Sequence, residues 1–401
     1  EKTIIKLGSL LALGFGEAGG NIIAQNMRGS DSAGVNAMIP GTCVNTIIGV
    51  VRVRDFCVAT EVLQSKINAF CNQIAEIVHG ICNEFHGAPN KNNGDTFLVI
   101  WRLESSAGEG RTARMAEMSV VAFATILGAV HQSRLLADYC AHPAMRNRLG
   151  KNCRVNLSFG LHAGWAIEGA VGSEFKIDAS YLSPNVNMAT SIERATEAYG
   201  ISFMVGQSVV DLCTSKLVAK CRLIDRVIIT GSTVPTELYC VDLDYRRVQV
   251  DHSKLPRINW NTRVRFKVQQ DIEMEKKRML DDDTLDLAAM FDADPAIAVM
   301  RRRYTVEFLQ LYNAGYQNYS QGEWHVARQK FSYTRLLLGI EDGPSSSLLR
   351  FMESHDFEAP RGWQGVREMA ADMAWATAPT QRPTLDEVQS LPAVQAAVAV
   401  H

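Results

Sequence analysis

A glycine cluster near the start of the chain has the spacing of a phosphate-binding loop. Gly14, Gly16 and Gly19 fit the pattern GxGxxG, which cradles a pyrophosphate when a strand precedes it and a helix and second strand follow. Here a short helical stretch at 21–27 runs into a loop rich in glycine, serine and proline. We therefore favour a tight turn or a helix-packing segment over a phosphate site for residues 1–42.

A second group of reactive side chains lies between two predicted strands. The β-branched run Thr46–Val53 predicts a buried strand, and Thr96–Trp101 predicts another. Between them, apolar residues from Leu63 to Phe85 recur at spacings of three and four, which predicts an amphipathic helix. The polar turn that follows this helix presents Lys91 and Asp95 beside the end of the first strand.

Composition limits the function classes. Of 401 residues, 47% are apolar and 21% charged, which is typical of a globular protein of two or three domains. The 41 basic and 43 acidic residues give a net charge of −2, so we expect no nucleic-acid partner. The nine cysteines are scattered without a CxxC pair, which indicates reduced thiols in the cytoplasm and argues against zinc.

Membrane association is not expected for this chain. We find no run of about 18 apolar residues, the length that spans a bilayer, and no signal-peptide pattern. The chain begins at Glu1 rather than Met, so a further segment, including a membrane segment, is conceivable upstream.

The C-terminal part changes character twice. Residues 246–300 are charged and polar, which predicts a solvated helical linker. Residues 301–375 contain a helix pair with a tetratricopeptide (TPR)-like pattern, carried by Tyr312, Gly315, Tyr316, Tyr319, Gly322, Trp324, Ala327 and Phe331. A solenoid needs about three repeats, so we expect one pair packed on its neighbour. Residues 376–401 are rich in alanine and proline and predict a tail that is loose or orders only against a partner.

Five segments of residues 43–245 carry a family resemblance. They are VRVRDFC (51–57), KNNGD (91–95), FGLHAG (159–164), YLSPNVNMA (181–189) and IDRV (224–227) followed by Gly231-Ser232. In the same order they resemble the D-I-R-x-F-T, K-x-I-G-D, G-I-H-x-G, V-N-x-A-S-R and I-D-R-V-x-V-K-G-S motifs of class III nucleotidyl cyclases. The resemblance is to the protist and algal members of that family.

The resemblance implies an α+β fold: a ferredoxin-like, antiparallel-rich sheet with flanking helices, followed by the α-helical TPR-like region. In this family a ribose 3′-OH attacks the α-phosphate and expels pyrophosphate. Two divalent ions held by two carboxylates lower the pKa of the hydroxyl and neutralise charge. The active sites lie at a dimer interface, and an active member would use Mg or Mn with ATP.

Four positions match the family's functional residues. Asp95 corresponds to a metal carboxylate, with a structural salt bridge to Arg52 as the alternative. Lys91 and Ser180 take the two base-reading positions, and Asn187 takes the ribose-orienting position. Lys91 and Asn187 are open to a second interpretation as relics of the fold. His162 is interpreted as a packed turn residue rather than a catalyst.

Three positions depart from the family. Arg52 stands where the first metal aspartate is expected, Ser191 where the transition-state arginine is expected, and Thr230 where the triphosphate lysine is expected. Asp55 lies three residues after Arg52, so on a strand it points to the opposite face. We expect Arg52 to pair with Asp95 and replace the ion.

These departures favour a pseudo-cyclase, used as a structural, dimerising or regulatory module in a larger assembly. The alternative is an active adenylate cyclase that makes cyclic AMP from ATP as part of a heterodimer. We expect no bound cofactor, a homo- or heterodimer through the cyclase domain, and a cytoplasmic location, with a cilium or flagellum suggested by the family flavour.

Overall fold

The computed structural model describes residues 39–369, except 105–107, 174, 230–231, 254–261 and 283–284, and gives the backbone alone for 262–270. The chain forms two compact units. Unit 1 comprises the described residues up to Thr196, Ile201–Leu223 and Glu237–Arg303. Unit 2 comprises Glu197–Gly200, the described residues of Ile224–Thr236, and those from Tyr304 onward. The GxGxxG cluster and the predicted tail at 376–401 lie outside the described residues.

An antiparallel-rich sheet forms the centre of unit 1. Its strands are β1 (Thr42–Val53), β2 (Ala88–Asn93), β3 (Thr96–Leu103), β4 (Leu157–Ser173), β5 (Lys176–Leu182), β6 (Phe203–Gly206) and β8 (Thr236–Val241). The order is β2-β3-β1-β4-β6-β8, with β5 paired to β4. The pairings β1–β3, β1–β4, β2–β3, β4–β5 and β6–β8 are antiparallel, and that of β4 with β6 is parallel. The predicted α+β class is confirmed.

Helices cover both faces of this sheet. They are α1 (Phe56–Leu63), α2 (Ile67–Glu84), α3 (Glu109–Gln132), α4 (Arg134–Cys140), α5 (Pro143–Leu149), α6 (Pro184–Ala198), α7 (Gln207–Val210) and α8 (Ser215–Val218). Alternate residues of a strand point to opposite faces, and β1 follows this rule. Ile47 and Val51 belong to the large core that includes α2 and α3, whereas Ile48 and Val50 pack in a smaller cluster with Ala189 of α6.

The central helix α3 corrects the expectation that no long apolar segment exists. Its 24 residues include an 18-residue window of mean hydropathy 1.5, enough in length and composition to cross a membrane. However, 72% of that window is buried inside the protein, as the core helix of a folded domain would be. The hydropathy follows from packing, because α3 is enclosed by the sheet on one side and by helices on the other.

The predicted solvated linker at 246–300 is corrected as well. This segment forms α9 (Thr262–Asp281), α10 (Leu287–Ala293) and α11 (Pro295–Arg301), and Leu287, Phe291 and Ile297 are buried in the core of unit 1. Gly128 of α3 permits close approach of α11, because a Cβ there would lie 2.8 Å from Cβ of Ala296. Charged residues dominate the composition, yet a few apolar residues at helical spacing determine where the segment packs.

Unit 2 contains the helices α12 (Val306–Gln321), α13 (Trp324–Leu338) and α14 (Gly343–Glu353). The strand β7 (Cys221–Ile228) enters it at Ile224, and Val227 and Ile228 of β7 pair in parallel with β9 (Arg367–Glu368). The predicted helix pair is present, and Trp324 Nε1 donates a hydrogen bond to the carbonyl of Tyr319 at 3.0 Å. The finer TPR-like assignment stays a prediction.

Candidate functional site

Arg52 lies near the end of β1, on the face of the sheet that α6 covers. In the strand register it is aligned with Thr96 of β3 and Ser158 of β4. Two residues further along β4, Gly160 allows α6 to approach the sheet. A Cβ at this glycine would lie 2.5 Å from the backbone nitrogen of Glu193, closer than any real Cβ contact. The sequence thus brings Glu193, 141 positions after Arg52, onto the same patch of sheet.

Arg52, Ser158 and Glu193 form a polar cluster in which the serine and the glutamate are buried. The Glu193 side chain is only 2% exposed, and its Oε2 lies 3.1 Å from Arg52 Nε, without the alignment of a hydrogen bond. Its Oε1 accepts a hydrogen bond of 2.5 Å from Ser158 Oγ. Burial raises the pKa of Glu193, and the Ser158 hydrogen bond and the Arg52 charge oppose that rise. The hydrogen bond from Ser158 and the Arg52 charge offset part of the cost of burying this carboxylate.

The predicted salt bridge between Arg52 and Asp95 is wrong, because Arg52 pairs with Glu193. Asp95 lies in the turn between β2 and β3, where its carbonyl accepts a hydrogen bond from Val53 N at 2.8 Å. Its Oδ1 accepts one from Thr96 Oγ1 at 2.9 Å. The turn therefore fixes Asp95 beside the end of β1 and satisfies part of its carboxylate locally.

Asp55 does not substitute for a carboxylate at position 52. It follows the end of β1 with a left-handed backbone (φ 57°) at the start of α1. Burial raises the pKa of the Cys153 thiol, and the Asp55 charge adds to that rise. Cys153 packs against the large core that includes α2 and α3. Asp55 lies beyond the end of β1, so strand alternation does not determine where its side chain points.

These residues do not fit a pair of divalent ions. A two-metal centre needs facing carboxylates, whereas position 52 presents a guanidinium and Glu193 is already engaged by Arg52 and Ser158. Among the described residues, no group of three or more histidine, cysteine, aspartate or glutamate side chains is arranged to hold a metal. We therefore assign no step to a metal ion.

The two predicted base-reading residues lie on different strands. Lys91 is half-buried on β2, directly after a register shift between Pro89 and Lys91. Ser180 lies on β5, is 1% exposed, and its Oγ has no hydrogen-bond partner among the described residues. Nearby, Asn90 Nδ2 donates to the carbonyl of Ala179 at 3.2 Å, while Asn90 Oδ1 is likewise buried and unpartnered. Two buried polar atoms without hydrogen-bond partners, Ser180 Oγ and Asn90 Oδ1, thus lie where the resemblance places the base.

The remaining predicted residues are distributed around α6. Asn187 is exposed and Ser191 is half-buried, and their separation of four places them on one side of the helix. Thr230 lies outside the described residues. The structure therefore places Asn187 in solvent and Ser191 half-buried on that same side of α6.

His162 lies within β4 and not in a turn, which corrects the sequence-based interpretation. Its Nδ1 accepts a hydrogen bond from Ser208 Oγ at 3.1 Å, and its Nε2 donates to Asn185 Oδ1 at 3.2 Å. Asn185 Nδ2 in turn donates to the carbonyl of Trp165 at 2.9 Å. Burial lowers the pKa of His162, which matches a neutral ring that links β4 to α6 and α7.

Sequence reasoning missed Glu193, although a signal for it exists. Ala189, Glu193 and Thr196 follow one another at spacings of four and three in α6 and are all buried. An acidic residue within the buried stripe of an amphipathic helix requires a buried partner. The periodicity of α6 alone therefore indicated that a basic or hydroxyl group lies opposite position 193.

Comparison with known proteins gives three findings. A family model described as the all-helical domain of RasGEFs matches residues 1–28, outside the described part of the chain. An adenylate cyclase of Anabaena cylindrica is 33% identical over 73 residues, which cover 18% of this chain and 14% of that relative. The match thus spans a small part of the relative's length.

Solved cyclase structures are also similar. A bacterial light-regulated adenylyl cyclase shares 17% identity at a TM-score of 0.45, covering 68% of each chain. The adenylyl cyclase CyaB from P. aeruginosa shares 17% identity at a TM-score of 0.38, with 54% of this chain and 98% of that chain covered. The guanylate cyclase domain of RhGC from Catenaria anguillulae, in complex with GTP, shares 15% identity at a TM-score of 0.39, covering 49% and 96%.

This chain is similar to adenylyl and guanylyl cyclases. The resemblance predicted from the five motifs is confirmed by the curated relative. Activity is a separate question, which depends on the groups at positions 52, 95, 191 and 230.

Proposed function

We propose that this chain is a catalytically inactive relative of nucleotidyl cyclases whose cyclase-like unit serves as a dimerising module in a larger assembly. The observation that carries the proposal is the Arg52–Glu193 pair. A guanidinium, held at 3.1 Å from a carboxylate that is 2% exposed, stands where the family resemblance places the first metal ligand. It supplies positive charge where a divalent ion would need negative charge.

The energetic consequence for catalysis is large. Metal ions and aligned cations stabilise the charge that develops on the transferring phosphate, and loss of one such group typically costs about 10²–10³ in rate. Here Ser191 and Thr230 also replace the arginine and lysine that the resemblance implies. These substitutions affect both the position that would bind metal and the positions that would bind phosphate. An intact partner subunit would therefore not restore an active site shared between the two subunits.

A dimerising role is supported by an exposed apolar surface on the β4–β5 hairpin, which we call the hairpin surface. It consists of Trp165 (46% exposed), Val171 (44%), Phe175 (97%) and Leu182 (55%). Exposed apolar surface on one element is a mark of protein association sites. Because the cyclase resemblance implies a dimer, we assign a second copy of this chain as the occupant.

The state of the cysteines bears on the cellular location of the chain. All nine cysteines are free, in keeping with a reducing, cytoplasmic location. A place in a cilium or flagellum stays a prediction from the family flavour.

Catalytic inactivity is tested by incubating the purified chain with ATP or GTP and Mg²⁺ or Mn²⁺. We expect no cyclic AMP or cyclic GMP above a mock preparation. The triple variant Arg52→Asp, Ser191→Arg, Thr230→Lys should gain activity if the scaffold is otherwise competent. Nucleotide turnover by the unmodified chain, alone or mixed with an active cyclase domain, would show that the active-enzyme alternative is correct.

The dimer is tested separately by light scattering after size-exclusion chromatography. Phe175→Asp should shift the molecular mass toward that of a monomer, because it places a charge on the hairpin surface. Val299→Asp, at a position 42% exposed on α11, is the matched control and should leave the mass unchanged. A monomeric unmodified chain, or a Phe175→Asp variant as dimeric as the control, would refute the assignment.

A further inference from the structure

A cavity of about 160 Å³ lies within unit 1, between the end of α3 and the α4–α5 segment. We call it the α4–α5 cavity. Its twelve lining residues come from α3, α4, α5, the segments that follow α3 and α4, the segment before β4, and position 250. The volume is close to the roughly 150 Å³ of a cavity known to accept benzene. A single small ring therefore fits, whereas a nucleotide does not.

The charged groups of the lining are all basic. Arg146 and Arg154 line the cavity, and none of the twelve residues is an aspartate or glutamate. Arg154 is held in place by its Nη1, which donates hydrogen bonds to the carbonyls of Tyr245 (3.2 Å) and Val248 (2.8 Å). Asp55, outside the lining, contributes negative charge near Cys153. The cavity thus presents two guanidinium groups, and no acidic residue of its lining balances their charge.

A buried imidazole adds a polar atom to the same wall. His131 is 4% exposed, lines the cavity and stacks on Tyr245 with ring centroids 4.3 Å apart. Its Nε2 has no hydrogen-bond partner among the described residues. Burial and the neighbouring Arg154 charge lower the pKa of His131 to about 3, so the ring is neutral. In its Nε2–H form the ring has one hydrogen bond to donate.

Two other uses of this cavity are less well supported. Cys140, Cys153 and His131 are ligands that soft metals favour, but no described group of three or more such residues has the arrangement of a metal site, and two arginines repel a cation. Oxidation of the thiols is disfavoured too. Burial raises the pKa of Cys140 to about 12 and also raises that of Cys153, which suppresses the reactive thiolate.

We propose that the α4–α5 cavity binds a small organic monocarboxylate with an apolar body about the size of a benzene ring. The carboxylate contacts Arg146, Arg154 and His131 Nε2, and the ring packs against the aliphatic wall that includes Val130, Leu136 and Val155. The site is formed by residues other than those at positions 52, 95 and 193. The inference therefore stands whether or not the chain makes cyclic nucleotides.

The test uses benzoate as the probe and the full 401-residue chain, by calorimetry or NMR titration. We expect saturable binding of one benzoate. Benzyl alcohol, which lacks the charge, and inorganic phosphate, which lacks the ring, should each bind at least about tenfold more weakly, since a hydrogen bond to a charged group contributes roughly tenfold or more.

Variants locate the site. Arg146→Gln removes an exposed charge without disturbing packing and should weaken benzoate binding about tenfold. His131→Phe preserves the stacking on Tyr245 and should weaken it several-fold. The matched control is Arg148→Gln on the same helix, because Arg148 pairs with Glu61 and does not line the cavity.

Three results would overturn the proposal. The first is no saturable binding of benzoate, and the second is equal affinity for benzoate and benzyl alcohol. The third is benzoate binding that Arg146→Gln and Arg148→Gln change to the same extent.

Discussion

Arg52–Glu193 in unit 1 and Arg367–Asp225 in unit 2 each join an arginine to a buried carboxylate, and the two pairs are built differently. In unit 1, Arg52 is 27% exposed and its Nε lies 3.1 Å from Glu193 Oε2. In unit 2, Arg367 is 3% exposed and its Nε lies 2.6 Å from Asp225 Oδ2. Arg367 Nη2 also donates to Tyr199 Oη at 2.6 Å, and that hydroxyl donates to Asp225 at 2.6 Å.

The two pairs differ in how completely the protein encloses the arginine. The Arg367 guanidinium also lies over the rings of Tyr199 and Phe351, with its carbon 5.2 and 4.9 Å from their centroids. Such cation–π contacts stabilise a desolvated charge. The Arg367 pair therefore functions as part of the core that fixes β9 to β7. The Arg52 side chain is 27% exposed, so the Arg52 pair gains only part of the stability of an enclosed pair.

The largest expected loss of stability follows removal of Arg367 from its pair with Asp225. Arg367→Met leaves Asp225 buried without its counter-charge, so the free energy of unfolding should fall by about 3–5 kcal/mol. Urea unfolding followed by circular dichroism measures it. Arg361→Met, at an exposed position of the same segment, is the control and should change stability by no more than about 0.5 kcal/mol. Equal effects of the two variants would show that the pair in unit 2 is not stabilising.

A smaller effect is expected where α6 approaches the sheet. Gly160→Ala places a Cβ against the backbone of Glu193, so α6 must shift, at a cost of about 1–3 kcal/mol. Gly110→Ala, where a Cβ meets nothing within 4 Å, serves as the control in thermal unfolding. If Gly160→Ala is as stable as this control, the close approach of α6 that forms the Arg52–Glu193 pair is not required.

Substitution of Arg52 should lower the free energy of unfolding less than substitution of Arg367. Arg52→Leu leaves Glu193 with its hydrogen bond from Ser158, and Arg52 is already partly in water, so we expect a loss of about 1–2 kcal/mol. Arg111→Leu is the control, because Arg111 pairs with Glu104 and both are well exposed. A loss for Arg52→Leu equal to that for Arg367→Met would remove the distinction between the two pairs.

The smallest effect is a pH dependence specific to Glu193. Because its pKa in the folded chain is raised above the ordinary 4.5, the folded state holds this proton more tightly than the unfolded state. The contribution to stability is therefore fully present below about pH 4.5 and is lost as pH rises through the folded-state pKa. Glu193→Gln should flatten that part of the stability profile, measured by urea unfolding at several pH values. A profile unchanged by the substitution would contradict the assigned shift.

Much of the fold could be predicted from local patterns. The β-branched run at 46–53 lies within β1, and the stripe from Leu63 to Phe85 corresponds to the end of α1 together with α2. Patterns failed where burial depends on neighbours. The apolar core helix α3 and the charged segment 246–300 were both misjudged, because composition does not indicate which face of a helix finds a partner.

The sequence by itself determined which groups are present at the candidate site: an arginine at 52, an aspartate at 95, and no arginine or lysine at 191 and 230. Only the tertiary structure decided that Arg52 pairs with Glu193, because Gly160 leaves room for α6 on the sheet. An ion pair depends on distance in space, and residues 141 positions apart become neighbours only through packing.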